Sequence, residues 1–89
     1  MPWYNLTNPD TGRVETVFAT DAMSAAMIAA QSWNHQIAPV EATWRLYRNF
    51  PTVDRLRMIA DDDRNPASAL ARELMFVLRV VDSARIVER

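Results

Sequence analysis

The stretch from Asn65 to Arg89 constrains the fold more than any other part of the sequence. Asn65 suits the N-cap of a helix, and Pro66 suits the first helical position, where a missing N–H costs nothing. Apolar residues then recur every three or four positions on one helical face: Leu70, Leu74, Val77, Leu78 and Val81. We therefore expect the longest helix of the molecule here, with the core formed against it.

The same helix carries a second apolar stripe on another face, formed by Phe76, Val80 and Val87 and flanked by Arg72 and Arg79. One helix cannot turn two stripes toward a single two-layer core. Either the first strands wrap around the helix, or the second stripe contacts another chain. The sequence favours the contact.

The composition bounds the class of protein. With 89 residues, 49% apolar and 24% charged, the chain is expected to form one small globular domain over residues 1–89. The absence of cysteine excludes disulfides and thiolate metal sites. The first residues lack the basic and apolar regions of a signal peptide, and no apolar run could span a bilayer, so we expect a cytoplasmic protein without membrane contact.

The charge is nearly balanced. A formal charge of −1 gives no overall field that would attract nucleic acid or anionic lipid. All ten cationic residues are arginine, and no lysine is present. Either codon bias or selection for bidentate contacts explains this usage.

The N-terminal region predicts a β-hairpin. Trp3–Thr7 is short and aromatic, residues 8–12 carry the Asn, Pro and Asp typical of turns, and Gly12 is the only glycine of the chain. Val14–Ala19 is the expected return strand. Its alternation places Val14, Thr16 and Phe18 on one face, with Glu15 and Val17 on the other.

A helix is expected after the hairpin. Thr20 or Asp21 would cap it, and it would run to about Asn34, with Pro39 preventing its resumption. Its buried stripe would consist of Met23, Ala26, Met27, Ala30 and Trp33.

Residues 40–60 are ambiguous. Val40–Tyr47 alternates strictly and is rich in β-branched and aromatic residues, which favours a strand. The alternative is a helix that starts near Pro39, with Glu41 and Arg45 as an i,i+4 pair. Val53–Ala60 fits a strand or a short helix in the same way.

An internal echo favours the strands. Trp3, the turn at residues 8–12 and Val14 have weak counterparts about forty residues later in Trp44, the turn at residues 49–52 and Val53. The expected fold is therefore α+β, of ββαββα type, with a four-stranded, mostly antiparallel sheet and two helices on one face. The alternative is an N-terminal β-hairpin on a helical bundle.

No catalytic or metal site is indicated. Residues 61–65 have the Asp-x-Asp-x-Asn spacing that opens a calcium-binding loop, but Pro66 stands where glycine is needed and Arg72 where a bidentate Glu is needed. His35 is the only histidine, and no nearby set of partners suits a triad or a metal. We expect a non-enzymatic protein without cofactor or metal.

A second candidate surface lies on the expected sheet. Cations and one aromatic residue would cluster on the face away from the helices: Arg45, Tyr47, Arg55 and Arg57. Such a mixture suits an acidic protein surface or a single-stranded nucleic acid.

These patterns lead to one hypothesis and one alternative. The hypothesis is a protein–protein interaction module that docks through the C-terminal helix, with another protein or a second copy of the chain as its partner. A small size without catalytic residues also suits a phage-encoded virion component or an inhibitor of a host complex. The alternative is a single-stranded nucleic-acid binder that uses the arginine-bearing face.

Overall fold

The computed structural model describes residues 1–33, 40–49 and 52–87, with the backbone alone for 40–43. Its fold is α+β, as the sequence predicts. Two compact units divide the chain: Met1–Gln36 with Val77–Arg89, and Ile37–Phe76. The elements follow in this order: β1 (Trp3–Thr7), β2 (Val14–Phe18), α1 (Ala22–Ser32), α2 (Val40–Asn49), α3 (Val53–Ala60), α4 (Ser68–Ser83) and β3 (Arg85–Val87).

The predicted hairpin is confirmed. β1 and β2 pair antiparallel, with Trp3 opposite Phe18 and Thr7 opposite Val14. The side-chain oxygen of Asn8 accepts the N–H groups of Asp10 and Thr11, at 2.9 and 3.3 Å, and so holds the turn. Gly12 has a φ of 76°, which only glycine adopts without strain.

The sheet has three strands within the described ranges, in the order β2-β1-β3. The predicted four-stranded sheet is therefore wrong, and so is the expected repeat. β3, which was not predicted, runs antiparallel to β1 and places Val87 opposite Trp3. At the end of this pairing the hydroxyl of Ser83 accepts the N–H of Thr7 at 2.9 Å.

One face of the sheet is covered by α1. The helix begins after Asp21, whose carboxylate accepts the N–H of Ser24 at 2.7 Å, and its last turn is capped by Trp33. Small side chains allow a close approach to the sheet, and four alanines of α1 are fully buried: Ala25, Ala26, Ala29 and Ala30. The buried sheet residues are Tyr4, Leu6 and Val17. The predicted roles of Asn34, His35 and Pro39 lie outside the described residues.

Residues 40–49 and 53–60 are helices, so the favoured strand interpretation is wrong. In α3 the buried residues Leu56 and Ala60 stand four positions apart, which is one helical turn. In α2 the rings of Trp44 and Tyr47, three positions apart, meet edge to face with centroids 6.1 Å apart. A stretch of seven or eight residues is too short for its apolar spacing to distinguish a strand from one face of a helix. Here the buried and contacting residues follow the helical spacing of three or four positions. The side chain of Glu41, and with it the predicted pair with Arg45, lies outside the described side chains. Residues 50–51 of the predicted turn at 49–52 lie outside the described residues.

The helix α4 is the longest of those described, as predicted, with 16 residues. It begins at Ser68, two positions later than expected, because the side chain of Asn65 accepts the N–H of Ala67 in a local turn at 2.9 Å. Its buried face shifts along its length: Ala71 and Leu74 are fully buried in the second unit, and Val77 and Val80 in the first. Leu74 and Val77 of the first predicted stripe are therefore buried along with Phe76 and Val80 of the second, while Val87 lies on β3 and not on the helix.

Candidate protein-binding surface

The predicted contact on α4 is not available at the surface. Phe76 is 8% exposed and Val80 is fully buried. Both side chains are therefore interior in the described structure, so neither is exposed for the expected contact with another chain. The buried positions move around the helix along its length, from Ala71 and Leu74 to Val77 and Val80, which the sequence pattern does not reveal.

The two arginines of that predicted site make local contacts. The guanidinium of Arg72 donates to the carbonyl oxygen of Ala60 at 3.2 Å and to the carboxylate of Asp63 at 3.1 Å. Arg79 lies 3.9 Å from the carboxylate of Asp10 in the hairpin turn. Both arginines remain more than half exposed, so these ion pairs add little stability.

The arginine-bearing sheet face does not exist as predicted. Arg45 and Tyr47 lie on α2, and Arg55 and Arg57 lie on α3, so none of these four residues is on a strand. The three arginines are exposed and Tyr47 is half-buried. Alternate residues share one face only in a strand, so these four side chains do not share the predicted face when both segments are helical.

A shallow hollow of about 210 Å³ lies in the second unit, lined by Arg45, Leu46, Asn49 and Leu70. It is smaller than the roughly 300–1,000 Å³ that small-molecule sites occupy. No group of three metal-ligating side chains occurs in the parts of the chain that the structure describes. The acidic residues of 61–65 make local contacts instead, since the carboxylate of Asp62 accepts the N–H of Arg64 at 3.1 Å.

One exposed apolar surface of the first unit is the face of the sheet opposite α1. We call it the open sheet face. Strand alternation places the odd-numbered residues of β1 and β3 and the even-numbered residues of β2 on it. Its members are Trp3, Asn5, Thr7, Val14, Thr16, Phe18, Arg85 and Val87.

Apolar side chains form a row across one end of the open sheet face. Trp3 lies between Phe18 and Val87 in the strand register. The ring centroids of Trp3 and Phe18 are 5.2 Å apart, which is a favourable aromatic contact. Trp3 is nevertheless 37% exposed and Phe18 47%, and Val14 at the other end of β2 is 56% exposed.

The middle of the open sheet face is polar and uncharged except for one arginine. The hydroxyl of Thr16 donates to the side-chain oxygen of Asn5 at 2.7 Å. The guanidinium of Arg85 turns back to the end of α4, where it donates to the carbonyl oxygens of Ala84 and Asp82, at 2.8 and 3.3 Å. The cation thus binds its own chain and does not extend across the strands.

The main chain of β2 is also open along its outer side. The N–H of Asn8 bonds the carbonyl of Arg13, and the N–H of Ala19 bonds the carbonyl of Pro2, so the odd-numbered residues of β2 bond to β1. In antiparallel pairs the bonding direction alternates, so the peptide groups of the even-numbered residues point away from the sheet. We call the outward N–H and C=O groups of Val14, Thr16 and Phe18 the β2 edge. Within the described chain no hydrogen bond reaches these groups.

At the start of α1 the hydrogen bond from the Ser24 N–H lowers the pKa of Asp21. Its role is to cap the helix. None of the helices in the described ranges is both long and apolar enough to cross a bilayer.

Comparisons of the chain with protein families, curated proteins and solved structures give no match. The open sheet face therefore stands on geometry alone. Sequence reasoning placed Val14, Thr16 and Phe18 together but overlooked Trp3 and Val87 as their neighbours. The short Ile-Val segment after Ser83 was the available signal for the third strand.

Proposed function

We propose that the protein is a non-enzymatic protein–protein interaction module whose contact surface is the open sheet face. One observation carries the proposal: Trp3, Phe18 and Val14 are partly exposed apolar side chains on one face of the sheet, and the half-buried Val87 continues the row beside Trp3. Aromatic residues on a rigid element are typical anchors of protein interfaces.

The proposed function class is the one that the sequence indicates. The proposed contact surface is different, because the open sheet face replaces the C-terminal helix. Phe76 and Val80 belong to the interior, so the C-terminal helix no longer supplies the contact. The open sheet face supplies what the helix was expected to supply, namely apolar area with a polar margin. Asn5 and Thr16 form that margin and already satisfy each other through their side-chain hydrogen bond.

A second candidate function is binding of single-stranded nucleic acid, and one observation favours it. Aromatic rings on an open sheet can stack against bases, and Trp3 and Phe18 form such a platform. The charges oppose it. Arg85 is bonded to the carbonyls at the end of α4, and the net charge of the chain is −1.

Affinity capture from the native host with mass spectrometry tests the proposed function. We expect Phe18→Thr and Val14→Thr to lose the proteins that the unchanged chain retains, because each removes apolar contact area and keeps a β-forming side chain. Met58→Thr is the matched control, since Met58 is 75% exposed and lies on α3, which belongs to the other unit of the chain. Circular dichroism establishes that all variants are folded.

Two results contradict the proposed function. One is retention of the same proteins by the Phe18→Thr and Val14→Thr variants. The other is specific binding of single-stranded DNA or RNA that falls with salt and is lost in Phe18→Thr, which supports the second candidate instead.

A further inference from the structure

We propose that a second copy of the chain pairs with the first through the β2 edge, antiparallel and with Thr16 at the two-fold axis. The inference rests on the proposed function, since it takes Val14 and Phe18 as contact residues. It names the partner and the geometry, which the open sheet face alone does not supply.

The main-chain geometry permits this pairing. The outward peptide groups belong to Val14, Thr16 and Phe18, which are spaced symmetrically about Thr16. An antiparallel copy therefore places Val14 opposite Phe18 of the second chain and Thr16 opposite its own equivalent. Each pair exchanges two hydrogen bonds, giving about six in all between the two edges. A symmetric dimer contact of this kind uses the same patch on both copies.

The side chains fit the same register. Val14 and Phe18 meet as a β-branched and aromatic pair twice, and the two Thr16 side chains meet at the axis; both kinds of cross-strand pair are favourable. The apolar row of one copy is then extended by Val14 of the other. The two exposed apolar residues of β2, Val14 and Phe18, lose solvent exposure in this arrangement.

Charge and apolar pairing together select this register over its neighbours. With Thr16 at the axis, Glu15 faces Val17 of the other copy and Arg13 faces Ala19, so no charged residue faces a like charge. Sliding the strands by two residues in one direction brings Glu15 opposite Glu15, which is repulsive. Sliding them in the other direction replaces the Phe18 partner of Val14 with Thr20.

The β2 edge lacks several of the features that protect an edge strand, namely lysine, proline and bulges. Its protection is limited to the short length of β2 and to the charge of Glu15 on the face toward α1. The chain has no lysine, and the outward positions of β2 hold valine, threonine and phenylalanine. One strand pair covers less area than a permanent dimer interface, so the expected association is weak and depends on concentration.

Sedimentation equilibrium of the full chain tests the inference. We expect the average mass to rise from the monomer value of 10.2 kDa toward twice that value as the concentration increases to about 1 mM. Thr16→Pro should weaken association at least about tenfold, because it removes an outward N–H from each copy. Proline is tolerated at this kind of edge position. Thr16→Val is the matched control, since it also loses the bond to Asn5 but keeps the N–H.

A second pair of variants covers the case in which Thr16→Pro does not fold. Val14→Lys places a charge opposite Phe18 of the other copy and should also reduce association. Val53→Lys introduces the same charge at an exposed position of α3 and should leave association unchanged.

The two proposals fail separately. A chain that stays at 10.2 kDa up to about 1 mM overturns the inference, as does association that Thr16→Pro and Val14→Lys leave unchanged. If that monomeric chain still retains a protein that Phe18→Thr loses, the proposed function stands with a different partner. If capture is insensitive to Phe18→Thr while Thr16→Pro abolishes the dimer, the edge pairing stands and the open sheet face loses its proposed role.

Discussion

The hydroxyl of Ser83 takes the place of a backbone partner for Thr7. It accepts the N–H of Thr7 at 2.9 Å, lies 3.3 Å from the Thr7 carbonyl oxygen and donates to the carbonyl oxygen of Val80 at 2.6 Å. Ser83 is the last residue of α4, and the β1–β3 pairing starts two residues later. One side chain thus joins the end of a helix to the start of a strand pair.

Replacing Ser83 with Ala should destabilise the protein by about 1 to 3 kcal/mol, because the part-buried N–H of Thr7 is left without a partner. Urea unfolding measures the change. Ser32→Ala removes an exposed hydroxyl that donates to Glu15 at 3.2 Å, and should change the free energy of unfolding by less than about 0.5 kcal/mol. Equal effects of the two variants would contradict the role assigned to Ser83.

Asp21 should make stability dependent on pH. Its pKa is lowered in the folded protein by the Ser24 N–H, so its contribution is present above the unfolded pKa of about 3.9 and is lost as the pH falls through the folded pKa. Asp21→Asn keeps a capping oxygen without a titrating group. Between pH 7 and pH 3 the unfolding free energy of the unchanged chain should therefore fall further than that of Asp21→Asn, and Asp21→Ala should lose about 1 kcal/mol at pH 7.

Gly12 should tolerate few replacements because of its backbone and not because of space. A Cβ at this position meets nothing within 4 Å, while φ is 76°. Gly12→Ala should cost about 1 to 2 kcal/mol, and Gly12→Asn less, since asparagine adopts this conformation more readily. Thermal unfolding of both variants checks the order; an alanine variant as stable as the unchanged chain would contradict the cause.

Phe76 and Val80 should behave as core residues. Phe76→Ala should cost about 3 to 5 kcal/mol, and Val80→Asp should leave the chain largely unfolded at 25 °C, because a small domain cannot absorb a buried unpaired charge. Arg79→Ala, at the adjacent exposed position, should stay within about 0.5 kcal/mol. Circular dichroism with urea unfolding measures all three. A folded Val80→Asp variant would restore the helix as a contact surface.

The hairpin could be predicted because its signals are local. Gly12 adopts a positive φ, and the side chain of Asn8 accepts hydrogen bonds within its own turn. The alternation of β2 predicts that Val14 lies on the exposed face of the sheet and Val17 on the buried face, or the reverse, and the structure has Val17 buried. The start of α1 is local in the same way, because Asp21 bonds an N–H three residues later. Each of these decisions involves neighbours in the sequence.

Residues 40–60 could not be predicted because a short alternating stretch fits two periods. Val40–Asn49 and Val53–Ala60 form helices in which Leu46, Leu56 and Ala60 are buried, and that choice depends on packing partners elsewhere in the chain. The same limit affected α4. Phe76 and Val80 are buried beside Leu74 and Val77, and that burial depends on tertiary packing, which no spacing within the helix expresses.

Only the part of the open sheet face that lies on β2 could be predicted from the sequence. Alternation within β2 groups Val14, Thr16 and Phe18, but only the strand register adds Trp3 and Val87. That register joins segments from distant parts of the sequence, as the bond between Thr7 and Ser83 does across 76 residues.

The pairing of β1 with β3 also determines when this protein can finish folding. On the ribosome, the hairpin emerges before the strand that flanks it, because β3 is synthesised after α4 and Ser83 follows Thr7 by 76 residues. Closing so long a loop is slow compared with hairpin formation. The pairing of β1 with β3 therefore forms only when Val87 has been synthesised, and until then both outer sides of the hairpin are unpaired.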